Sequence, residues 1–135
     1  MNLNEPQPTI MLIDDVELDN IIFKMVLQRL LPNPTIDTCA NGQRAIEKLR
    51  LLTDNSSSLM PDYIFLDLRM PVMDGWQFLK EFAELAITPE KRSKLFVLSS
   101  TIDKNEIQDS IENPLVSDFL SKPIGLDKLK SIFTT

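Results

Sequence analysis

The chain has 135 residues, 43% of them hydrophobic and 25% charged, which fits one soluble domain with a single core and excludes a wholly disordered or fibrous chain. Fourteen Lys and Arg against twenty Asp and Glu leave a net charge of −6, so no general positive field is available to grip nucleic acid. Histidine is absent, Cys39 is the sole cysteine and glycine occurs only at 42, 75 and 125; histidine catalysis, intrachain disulfides, P-loops and dinucleotide loops are thereby excluded.

Residues 1–8 are polar and proline-bearing, without the positive start and apolar run of a secretory signal. They are expected to be a flexible tail leading into one domain that takes up the chain, 1–135. Thr9 to Ile13 reads as a buried strand ending in Asp14-Asp15. Leu18, Ile21, Ile22, Met25, Val26 and Leu30 then recur at helical spacing, and Pro32 and Pro34 stop the helix. Lys24 and Arg29 break this apolar segment, so nothing here spans a bilayer, and a cytoplasmic protein without membrane contact is expected.

Thr35 to Cys39 reads as a second strand, followed by an Asn41-Gly42 turn and a helix with Ala45, Ile46, Leu49 and Leu52 on one face. The run Asp54-Asn55-Ser56-Ser57-Ser58 is a polar surface loop. Tyr63 to Leu66 forms the third strand, and after Asp74-Gly75 comes a helix with Phe78, Leu79, Phe82, Leu85 and Ala86 inward. Lys91-Arg92-Ser93-Lys94 leads into a fourth strand, Leu95 to Leu98. A weak helix from about Asp103 to Glu112 turns Ile107 and Ile111 inward, Val116 to Leu120 is the fifth strand, and Leu126, Leu129, Ile132 and Phe133 mark the last helix. Strands alternating with helices at this density predict an α/β fold, a five-stranded parallel sheet doubly wound with helices on both faces.

In such folds ligands sit beyond the carboxyl ends of the strands. The residues there are Asp14 and Asp15 after the first strand, Asp67 after the third, Ser99 after the fourth and Lys122 after the fifth. Singly each has an ordinary explanation: Asp14 or Asp15 as a helix cap, Lys122 as a solvated loop lysine, Phe119 as core. Together on one rim they point to a site. Three converging carboxylates need raised pKa values or a cation, and an all-oxygen donor set favours Mg2+ or a similar ion. A carboxylate beside such an ion and a lysine can attack phosphorus, and Ser99 can donate to the phosphoryl group that results.

These residues resemble the receiver domain of two-component response regulators from about Thr9 to Phe133. The resemblance rests on Met11-Leu12-Ile13-Asp14-Asp15, on Phe65-Leu66-Asp67-Leu68-Arg69-Met70-Pro71-Val72-Met73-Asp74-Gly75, on Val97-Leu98-Ser99-Ser100 and on Phe119-Leu120-Ser121-Lys122-Pro123. It implies the flavodoxin-like strand order 2-1-3-4-5. It further implies that Asp67 accepts a phosphoryl group from a histidine kinase or a histidine phosphotransfer protein. Asp15, Asp67 and the Arg69 carbonyl would hold Mg2+, with Asp14 acting through water. Lys122 would pair with Asp67 and then with the phosphoryl group, ahead of a cis Pro123. Ser99 and Phe119 would form the switch that presents a surface to a downstream protein. The domain would assist its own phosphorylation and dephosphorylation without being an enzyme in the ordinary sense.

Departures from the usual family pattern are Ser100 for a frequent alanine, Phe119 for a frequent tyrosine, and a longer serine-rich loop. Arg69 is expected to lean over the approach to phosphorus and shield it, with Thr101 on the other flank. The acidic fourth helix and Lys128 and Lys130 of the fifth read as solvated faces, or alternatively as the charges of a weak homodimer. A flavodoxin-like electron carrier shares the architecture but would need a glycine- and hydroxyl-rich loop where this chain has Asp14-Asp15. The remaining alternatives are a receiver-like interaction module that is never phosphorylated, and one piece of a longer regulator or hybrid kinase.

Overall fold

The computed structural model describes residues 7–55, 60–85, 87 and 92–134. Most of the expected tail, the serine run from Ser56, Ala86 and Lys91 lie outside them. The elements run β1 (Thr9–Ile13), α1 (Glu17–Gln28), β2 (Thr35–Cys39), α2 (Gly42–Asn55), β3 (Tyr63–Leu66), α3 (Gly75–Ala83), β4 (Lys94–Ser99), α4 (Lys104–Glu112), β5 (Val116–Ser121) and α5 (Leu126–Phe133). All strands pair in parallel, in the order β2-β1-β3-β4-β5. This is the predicted fold. Because β1 pairs on one side with β2 and on the other with β3, the sheet reverses its winding between them, and a crevice opens at their carboxyl ends.

Side chains alternate across each strand, so the sheet divides the core into two layers. Met11, Ile13, Ile64 and Leu66 face Ala45, Ile46, Leu49, Phe78, Leu79 and Phe82 of α2 and α3. Ile10, Leu12, Phe65 and Phe96 face Phe23 and Leu27 of α1 with Leu129 and Ile132 of α5. An aromatic ladder runs through the second layer, Phe23 to Phe65 at 4.8 Å and Phe65 to Phe96 at 5.6 Å between ring centroids.

Two helices depart in part from the sequence expectation, although Val26 and Leu30 of α1 do pack against the second layer. In α1 the buried positions are Asn20, Phe23 and Leu27, whereas Leu18 and Met25 are 63% and 62% exposed and Ile21 and Ile22 are also exposed. A polar residue made the true stripe look like the outer one. Asn20 is buried because its Nδ2 donates to the Asp14 carbonyl at 3.1 Å, at the mouth of the crevice. In α4, Ile107 is half-buried as expected, but Ile111 is exposed and Ser110 is fully buried. The Ser110 hydroxyl donates to the Ile107 carbonyl at 2.7 Å, which satisfies it within its own helix and lets the small side chain pack.

In the loop after β3, Val72 has φ 69°, a left-handed conformation costly for a β-branched residue. Its side chain is 80% exposed, so no packing offsets the strain. Val72→Asn is expected to raise stability by about 0.5–1 kcal/mol, read as a higher midpoint in urea; an unchanged or lower midpoint would contradict this.

Candidate functional site

Backbone hydrogen bonds fix the crevice residues before their side chains act. Asp14 N donates to Cys39 O at 3.1 Å, Asp67 N to Ile13 O at 2.9 Å and Lys122 N to Ser99 O at 3.0 Å. Each extends a strand ladder one step past the regular strands, so the site is built on rigid sheet. The segment from Leu68 to Asp74 is held at its far end by an Asp74 capping box with Gln77 and by Gly75 N donating to Leu68 O at 2.9 Å. Neither Asp14 nor Asp15 caps α1, whose N-cap is Val16. Asp14 Oδ1 instead accepts from Val16 N at 2.9 Å.

Asp14, Asp15 and Asp67 each place an oxygen within 4.8 Å of the others'. Asp14 and Asp67 are buried and Asp15 is exposed. Burial pushes the Asp67 carboxyl up to about 6; Lys122 opposes the shift, Asp14 adds to it, and the backbone N–H groups of Arg69 and Leu68 pull it back. A hard oxygen cluster of this kind, with one member destabilised as an anion, fits a divalent cation such as Mg2+.

Lys122 comes in from β5, its bond to Pro123 cis as expected. Its Nζ lies 2.5 Å from Asp14 Oδ2, 2.9 Å from Asp19 Oδ2 and 3.6 Å from Asp67 Oδ2. Burial pulls the ammonium's pKa down, but hydrogen bonds to Asp14 and Asp19 and the charge of Asp67 outweigh it and hold the group above the ordinary lysine value. Asp19 is the residue the sequence reading missed. It lies four positions after Asp15, one helical turn along, and that spacing was the available signal.

Ser99 is buried, and its Oγ accepts from Thr101 N at 3.2 Å, leaving its own proton free to be donated elsewhere. Phe119 is half-buried against the α2–α3 layer. Arg69 does not lean over Asp67. Its Nη2 meets Glu106 Oε2 of α4 at 2.8 Å, and Thr101 Oγ1 donates to the same oxygen at 2.6 Å, so the carboxylate outcompetes the cleft for the guanidinium. On the outer faces, Lys128 pairs with Asp118 at 3.2 Å and Asp103 caps α4, so several charges assigned to a homodimer already have partners within the chain.

Comparison with known proteins matches residues 10–134 to the response regulator receiver domain. Two-component response regulator 24 of Arabidopsis thaliana is 30% identical over 97% of this chain and 85% of its own. The osmosensing histidine protein kinase SLN1 of Saccharomyces cerevisiae is also 30% identical over 97% of this chain, which spans only 10% of that kinase. Among solved structures, a two component response regulator from Cytophaga hutchinsonii superposes with a TM-score of 0.82 at 23% identity, over 95% of this chain and 96% of the other. The Mn(2+)-bound response regulator Rcp1 gives 0.70 at 25% identity, over 93% and 88%. The phosphorylated cyanobacterial phytochrome response regulator RcpA gives 0.73 at 27%, over 94% and 89%. Among the described residues, no helix is long and apolar enough to cross a membrane.

Proposed function

Since the chain belongs to the response regulator receiver family, a signalling domain of two-component systems, we propose that it is a phosphorelay switch in which Asp67 accepts a phosphoryl group. The observation that carries this is the buried Asp67 carboxylate, with the Lys122 ammonium at 3.6 Å and oxygens of Asp14 and Asp15 within 4.8 Å. An Asp67 oxygen attacks phosphorus in line, and the new O–P bond forms as the donor's P–N or P–O bond breaks. The departing imidazole or carboxylate keeps the electron pair. Water attacking the acyl phosphate later returns Asp67 and releases inorganic phosphate.

Asp15, Asp67 and the Arg69 carbonyl would hold Mg2+, with Asp14 acting through water, and the ion when bound supplies positive charge against the transferring oxygens. The Mn2+ of Rcp1 and the phosphorylation of RcpA, in relatives of the same fold, support this reading. Lys122 contributes a second positive charge from the opposite wall. The donor is a histidine kinase or histidine phosphotransfer protein, which brings the histidine this chain lacks. Leu18, Ile21, Ile22 and Met25, the exposed apolar row of α1 beside the crevice, offer that donor an apolar face to dock on.

The test is incubation with Mg2+ and acetyl phosphate, followed by intact mass and mapping of the labile acyl phosphate. One added phosphoryl group on Asp67, lost in excess chelator, is the expected result. No label, or label elsewhere, would return the chain to the reading of an interaction module that is never phosphorylated.

The output runs through Ser99 and Phe119. A phosphoryl oxygen at Asp67 recruits the Ser99 hydroxyl, the Thr101 contact is released, and the vacated space admits the Phe119 ring, reshaping α4 and β5 for a downstream protein. Ser99→Ala is expected to take up the phosphoryl group yet show under half the wild-type amide shifts over residues 103–130. Equal shifts in the two proteins would disprove the coupling.

A further inference from the structure

We infer that Asp19 is a positioning residue for Lys122, a second counter-ion that holds the ammonium on the α1 side of the crevice until a phosphoryl group draws it across. The inference rests on the phosphoacceptor reading of Asp67 and adds a residue outside the set that reading uses.

The ammonium has three protons. Two are engaged, by Asp14 at 2.5 Å and by Asp19 at 2.9 Å, while Asp67 at 3.6 Å lies beyond hydrogen-bond range. In the resting site the lysine therefore belongs more to Asp14 and Asp19 than to the nucleophile. The two nearer partners differ in freedom. Asp14 is 2% exposed and locked by Val16 N, whereas the Asp19 side chain is 36% exposed and makes no other hydrogen bond among the described residues. Asp19 can return to water at low cost, and Asp14 cannot. When the oxygens of a phosphoryl group arrive at Asp67, the Asp19 contact is the one to break.

Breaking it is part of the barrier to phosphoryl acceptance, so removing the Asp19 charge should speed acceptance. A partly exposed ion pair sets the scale, about two- to fivefold in rate. A plain repulsion between Asp19 and an anionic donor would act in the same direction but would not need Lys122. A double-mutant cycle separates the two.

Label uptake from acetyl phosphate at saturating Mg2+ is followed by intact mass in wild type, Asp19→Asn, Asp19→Glu, Lys122→Gln and the double variant Asp19→Asn/Lys122→Gln. The expected result is a two- to fivefold faster Asp19→Asn, a wild-type rate in Asp19→Glu, and no gain from Asp19→Asn once Lys122 is Gln. A wild type that labels on Asp67 beside an Asp19→Asn of equal or lower rate overturns this inference alone. So does an acceleration that survives without Lys122, or an Asp19→Glu as fast as Asp19→Asn. A wild type that takes no label at all overturns the phosphoacceptor reading, and this inference with it.

Discussion

Asp67→Asn is expected to remove all acyl-phosphate labelling and, in metal-free solution at pH 7, to make the protein more stable by about 1–3 kcal/mol. The two effects share a cause. Asp67 sits at the end of a central strand, buried, with other carboxylates beside it, and its carboxyl is raised from an ordinary 3.8 to about 6. A raised carboxyl favours folding in its protonated form. Its contribution is fully present below pH 4, declines as pH rises through 6, and leaves a fixed penalty above that. Asparagine carries no such penalty. Its stability advantage should therefore be small near pH 4, grow between pH 4 and about 6, and level off at neutral pH. Mg2+ should narrow the gap by stabilising the wild type more than the variant, which loses one carboxylate ligand. Urea unfolding of both proteins at the two pH values, with and without Mg2+, provides the measurement. Equal stability at pH 7 would show that the site stores no electrostatic strain, and label persisting in Asp67→Asn would remove Asp67 as the acceptor.

The sequence exposes the frame of this site better than its resting state. Strand ends are legible because apolar runs stop at Asp14, Asp67 and Ser99 and the pair Phe119-Leu120 is followed closely by Lys122, and parallel pairing then gathers those positions at one rim whatever the loops do. Helix phase is less legible where both faces carry apolar residues. In α1 the face of Asn20, Phe23 and Leu27 is buried rather than that of Leu18, Ile21 and Met25, and the polar Asn20 is accommodated there by its hydrogen bond to the Asp14 carbonyl, which no periodicity records. The partners of long charged side chains are less legible again. Lys122 does pair with Asp67, at 3.6 Å, but lies nearer Asp19, and the Arg69 guanidinium, read as leaning over Asp67, binds Glu106 instead. Both partners sit one turn or less inside helices that flank the crevice, and their placement depends on helix rotation and loop path as well as residue type.

Gly75→Ala is expected to lower stability by about 2–3 kcal/mol and to cut phosphoryl uptake at least tenfold, although residue 75 carries no chemistry. A Cβ built at Gly75 would lie 2.5 Å from the Asp67 carbonyl oxygen and 2.8 Å from the Leu68 Cα. Both are backbone atoms, so no rotamer change relieves the clash. Nor can β3 retreat, because Asp67 N is bonded to Ile13 O in the next strand. The start of α3 must move instead, stretching the bond from Gly75 N to Leu68 O and disturbing the loop that carries Arg69 and its carbonyl. Gly125 provides the control within the same chain. It is the N-cap of α5, where an added Cβ meets nothing within 4 Å, so Gly125→Ala should lose no more than the roughly 1 kcal/mol that alanine costs at a helix N-cap and label normally. If both variants lost stability equally, the cost would lie in helix initiation. A loss confined to Gly75→Ala, with slowed labelling, would place it in the contact between α3 and the backbone of Asp67 and Leu68.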